Sequence, residues 1–138
     1  MNPSHAYKEQ QALGWTRIDM LLALYGGAID RLEQALVSLE RGESDLTRTL
    51  LLRAQLMVTE LLSGIDLQYG ALPTQLARLY DFALWAINQG TPRHIRSAIS
   101  VLKTLREGLE GIRDQAISLE RRGQVPPVGT GTALSRAV

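Results

Sequence analysis

The chain has 138 residues and no cysteine, which excludes disulfides, thiolate catalysis and cysteine-built metal sites. It also lacks an excess of charge of either sign. Fifteen basic residues face fourteen acidic ones, and a net charge of +1 gives no electrostatic pull toward nucleic acid or anionic lipid. No run approaches the roughly 20 apolar residues needed to span a bilayer, so membrane insertion is not expected. The opening residues MNPSHAYKEQQ lack the apolar centre of a signal peptide, and the expected compartment is cytoplasmic. His5 and His94 are the only histidines, and they are isolated from each other in the sequence. The carboxylates Asp19, Asp30, Glu33, Glu40, Glu60 and Asp66 form no Glu-x-x-His pair, which disfavours a di-iron bundle site. There is no glycine loop to cradle phosphate and no nucleophile elbow. No enzyme, metal or cofactor is therefore expected.

What the sequence does contain is apolar periodicity. Apolar residues make up 45% of the chain and charged ones 21%, the balance of a soluble globular protein with room for one core. The strongest stretch is Thr16 to Arg41. There Ile18, Leu21, Leu22, Tyr25, Ala28, Ile29, Leu32, Ala35, Leu36 and Leu39 recur every three or four positions, which makes one stripe along an α-helix. Thr16 is placed to cap its start, Asp19 suits the N-terminal dipole, and Gly42 closes it. Tyr25 is expected in the core, its hydroxyl anchoring a neighbouring turn or the N-terminal arm.

The spacing predicts a second helix over about 45–69, with Leu46, Leu50, Ala54, Met57, Leu61 and Ile65 inward and Gly70 at its end. A third is predicted over about 72–89, with Leu76, Leu79, Tyr80, Ala83, Ala86 and Ile87 on one side and Phe82 and Trp85 on another flank. Asn88 to Pro92 breaks it. A fourth is predicted over about 92–122, carrying Ile95, Ala98, Leu102, Leu105, Leu109, Ile112, Ala116 and Leu119. Its cations Arg93, Arg96, Lys103, Arg106 and Arg113 are interrupted by Glu107, Glu110 and Asp114, and read as a solvated face. No alternating strand pattern competes. The expected fold is all-α: an antiparallel up-down four-helix bundle over 16–123, with an N-terminal arm over 1–15 and a flexible C-terminal tail over 124–138.

Two features exceed what a bundle needs. Gly26-Gly27 lies inside the first helix and Gly108 and Gly111 inside the fourth, each costing about 1 kcal/mol relative to alanine. Tight packing between helices is one reading; a shallow groove for a partner's backbone is the other. The apolar supply is also generous, with Leu50, Leu51 and Leu52 consecutive and Leu84 and Trp85 beyond the main stripe of the third helix.

Several phrases, in order, resemble the flagellin-specific flagellar secretion (export) chaperone family. Ala6-Tyr7 with Gln11 resembles its AYxxxQ signature, and Leu24-Tyr25-Gly26-Gly27-Ala28-Ile29 its LYDGAI phrase. Ala54-Gln55, Glu60-Leu61 and Ile65-Asp66 with Gly70 resemble its AQ…EL…LD…G run. Leu79-Tyr80-Asp81-Phe82 resembles LYDY, and Val101-Leu102 with Leu105-Arg106-Glu107 resembles the LLxxLRExW end, with Leu109 in place of the tryptophan. The likeness runs from about Ala6 to Ile112. It implies a cytoplasmic chaperone that binds the disordered C-terminal segment of flagellin, prevents premature polymerisation and helps present it to the flagellar export gate. The segment would fold as it enters apolar grooves. By this resemblance and the apolar excess, Tyr7 and Gln11 are expected as arm contacts, and Met57, Leu61, Leu76, Tyr80 and Trp85 as flagellin-binding groove lining. The alternative is a homodimeric helical structural or adaptor module, in which the surplus apolar surface meets a second copy; a weak homodimer is compatible with either.

Overall fold

The three-and-four spacing is realised as helices. In the computed structural model, which describes residues 17–65 and 70–121, these are α1 (Arg17–Glu40), α2 (Ser44–Ser63), α3 (Ala71–Gln89) and α4 (Pro92–Arg121). The described residues include no strand. The expected arm with Tyr7 and Gln11, the cap Thr16, the terminator Gly123 and the expected tail lie outside the described residues.

Glycine sets two of the turns. Gly42 and Gly90 both adopt φ 72°, a left-handed conformation that costs other residues a Cβ clash. At these ends the amide of Gly42 donates to the carbonyl of Leu39 at 3.2 Å and that of Gly90 to Ile87 at 3.1 Å. The Thr91 hydroxyl then accepts the amide of His94 at 3.2 Å, which caps the exposed N-terminus of α4.

Connections this short turn each helix back along its predecessor. α1 and α3 each pack against both α2 and α4, so the four form a closed ring of neighbours. The antiparallel sense is visible in cross-links: Arg113 near the end of α4 reaches Asp19 at the start of α1, and Lys103 reaches Glu33 at 3.3 Å. Every inward residue expected on α1 is buried or packed against the core, including Ile18, Tyr25, Ala28, Leu32 and Ala35. They meet Ala54, Val58 and Leu61 of α2, Tyr80, Ala83 and Ile87 of α3, and Ile95, Ala98, Leu102 and Leu109 of α4. This is the expected all-α four-helix bundle.

Three local expectations need correction. α2 stops at Ser63 rather than near Tyr69, because its last turn tightens. The amides of Gly64 and Ile65 bond the carbonyls of Leu61 and Leu62, both at 3.2 Å, an i to i−3 pattern that satisfies a helix end. Gly70, at φ 103°, precedes α3 instead of closing α2. On α2 the inward position near the first turn belongs to Thr47, while Leu46 is 46% exposed. Thr47 is admitted because its hydroxyl meets that of buried Ser38 at 2.6 Å and donates to the Glu43 carbonyl at 2.9 Å, which removes the penalty for burying it.

Candidate binding groove

On α3 the apolar residues exceed one stripe. Tyr80, Ala83, Ala86 and Ile87 face the core. Leu72, Leu79 and Phe82, spaced seven and three apart, make a second row on the same helix, and Trp85 continues it toward the outer face. Their exposures are 45, 39, 40 and 52%. Four large apolar side chains exposed on one 19-residue helix form a contiguous patch of the kind that marks an interaction site.

Aromatic contacts locate this row against α4. Phe82 and Trp85 lie 6.0 Å apart between ring centroids, and Trp85 meets His94 of α4 edge to face at 5.1 Å. His94 in turn lies with Nδ1 2.6 Å from the Thr91 hydroxyl, so the capping turn holds the ring at the seam. From His94 the same flank of α4 continues, at helical spacing, through Ser97, Val101, Leu105, Gly108 and Ile112. It carries no Asp, Glu, Lys or Arg. The cations that reach α1, Lys103 and Arg113, lie on the other side of α4. The result is a groove between α3 and α4 whose α4 wall is uncharged, with exposed Arg78, four residues before Phe82 and seven before Trp85, at its outer edge. Counting back thirteen residues from the Trp85–His94 contact along antiparallel helices, Leu72 comes level with the Glu107–Gly108 step of α4. The groove is therefore about 20 Å long at about 1.5 Å per residue, enough for three full helical turns of a partner.

Beneath it, the hydroxyls of Tyr25 and Tyr80 hydrogen-bond to each other in the core. Burial pushes both phenols above the ordinary tyrosine range, and for Tyr25 the neighbouring Tyr80 pushes in the same direction. The pair ties α1 to the inner face of α3, which fixes how α3 presents its outer row. Tyr25 was expected to anchor a turn or the arm; among the described residues its partner is Tyr80.

The sequence-predicted lining falls in different layers. Trp85 stands at the groove surface. Leu61 and Tyr80 are 2% and 1% exposed and belong to the core. Leu76 is half-buried against that core, and half-buried Met57 lies on the α1 side of α2. Its sulfur would sit 2.8 Å from a Cβ at Gly27, so at Gly27 the tight-packing reading holds. It does not hold at Gly26, Gly108 or Gly111, where nothing among the described residues lies within 4 Å of the added atom. Sequence reasoning passed over Leu72 and His94 as groove residues and placed Leu79 inward. The available signal was the second row itself, since Phe82 and Trp85 were already off the main stripe.

Two other surfaces are smaller. Leu52 and Leu56 are 55% and 61% exposed on the outer face of α2. A cleft of about 390 Å³, lined by Leu36, Val37, Leu39, Glu40, Pro92 and Arg96, opens between the end of α1 and the start of α4; it is too short for a helical segment about 10 Å across. No group of three or more metal-ligating side chains assembles among the described residues, and none of their helices is long and apolar enough to cross a membrane.

The structure is a closed four-helix bundle with a partly exposed apolar seam on its outside. The model of the flagellar protein FliS family matches residues 1–116, and the chain belongs to that family, the flagellin-specific export chaperones. It is a family of chaperones, not of enzymes. Comparison with curated proteins finds no match.

Proposed function

We propose that this chain binds the disordered C-terminal segment of flagellin in the cytoplasm, prevents its premature polymerisation and aids its delivery to the flagellar export apparatus. Family membership supports the role, and one observation carries the site: Leu72, Leu79, Phe82 and Trp85 stand exposed beside an uncharged flank of α4. An amphipathic segment would lay its apolar face into this groove and fold as it did so, so that helix formation and burial stabilise each other. Trp85 makes direct contact in this reading. Tyr80, Leu61 and Leu76 act from below by holding α3 in place, Met57 holds α2 against α1, and Tyr7 and Gln11 contribute from the arm. Calorimetric titration of the protein with a synthetic flagellin C-terminal segment tests this. Saturable one-to-one binding is expected, and absence of heat at tens of micromolar would contradict it.

The homodimer reading rests on a different observation, the exposed Leu52 and Leu56 on α2. Light scattering separates the two: a homodimer keeps twice the chain mass when the flagellin segment is added, whereas the chaperone forms a hetero-complex.

A further inference from the structure

Gly108 and Gly111 sit in the interior of α4, both exposed, where glycine is among the poorest helix formers. Neither has a positive φ, and nothing among the described residues lies within 4 Å of a Cβ built at either. Nothing among the described residues therefore requires glycine at these positions. Gly27 is the contrast, since Met57 fills the space a side chain would take. Of these two glycines in α4, Gly108 lies on the groove flank, within one residue of the position that the antiparallel count sets opposite exposed Leu72.

We infer that Gly108 is a specificity-determining residue of the groove: its missing side chain leaves a notch opposite Leu72 that receives a large apolar side chain of the docked flagellin segment. The inference rests on the groove reading above and adds to it where along the seam the segment is held. An apolar side chain entering the notch is covered by Leu72 on one side and by bare α4 backbone beneath. Those contacts exist only if the notch stays empty in the free protein. A side chain placed there would fill the notch and lift the segment off the seam, as overfilling a packed site does.

Gly108→Ala and Gly108→Leu test this, because open space and better helix propensity predict that both fold at least as stably as the parent. Thermal unfolding should show equal or raised midpoints, and titration with the flagellin C-terminal segment should show affinity falling from Gly to Ala to Leu, by roughly tenfold or more for Leu. Ser100→Leu, which adds the same bulk on the exposed outer face of α4, should bind like the parent. Parental affinity for Gly108→Leu, with Trp85→Ala still impaired, would overturn the notch and leave the groove standing. Parental affinity for both variants would overturn the notch and the groove together.

Discussion

α1 and α3 have similar apolar content and use it differently. α1 turns its stripe wholly inward, and among its large apolar residues only Val37 reaches 46% exposure. α3 is shorter, yet buries Tyr80 and Ile87 while leaving Leu72, Leu79, Phe82 and Trp85 in solvent. One stripe suffices to hold a helix in a two-layer bundle. A second stripe on the same helix is only partly covered by the fold, and what it leaves exposed is available for a partner. The comparison thus sets a helix whose apolar stripe is spent on the core beside one that also presents a partly exposed apolar row, the two joined by the Tyr25–Tyr80 hydroxyl pair.

The sharpest way to break that division is to damage each side alone. Leu32 is fully buried on α1, and Leu32→Ala should cost about 3 kcal/mol of stability through lost burial and a residual cavity. Urea unfolding measures this, and flagellin binding of the fraction still folded should be unchanged. A loss under about 1 kcal/mol would mean that α1 does not dominate the core.

The hydroxyl pair comes next. Tyr25→Phe leaves the buried Tyr80 hydroxyl without its partner, at a cost of about 1–3 kcal/mol, whereas Tyr25→Phe with Tyr80→Phe removes both groups and should recover most of it. A double-mutant cycle reads the coupling directly. The same pair predicts a pH dependence. Both phenols titrate higher in the folded protein than in the unfolded chain, so their contribution is intact below about pH 10 and is lost as pH rises beyond that. Unfolding midpoints of the parent should fall more steeply above pH 10 than those of the double Phe variant, and equal slopes would contradict this.

The smallest effect belongs to the cross-link between the helix ends. Arg113 and Asp19 lie 2.5 Å apart with side chains 37% and 21% exposed, and the hydrogen bond to Asp19 raises the arginine's affinity for its proton. Solvent screens such pairs. Arg113→Ala should lower the melting midpoint slightly, by an amount that shrinks with added salt.

Much of this was legible in the sequence. The stripe from Ile18 to Leu39 reported α1 correctly, because apolar spacing and core burial are the same constraint on a helix packed on one side. What the spacing could not show was polar residues made safe by each other. Thr47 and Ser38 are buried together, and no apolar count sees a hydroxyl pair. Nor could it mark the end of α2, since Gly64 is the choice of terminator only once the i to i−3 bonds at Leu61 and Leu62 exist. At the groove, Phe82 and Trp85 were visible as a separate flank. Tyr80 and Leu61 were expected as lining but lie beneath it, because periodicity ranks residues by face and cannot measure depth. The glycines divided along the same line: only the fold distinguishes Gly27, held against Met57, from Gly108, which meets nothing among the described residues.

The central claim is that the exposed row on α3 serves recognition and not folding. Replacing both aromatic residues, Phe82→Ser with Trp85→Ser, and titrating the folded variant with the flagellin C-terminal segment tests it most directly. The account predicts an unfolding midpoint close to the parent's and an affinity at least roughly tenfold weaker. Parental affinity in that variant would contradict it.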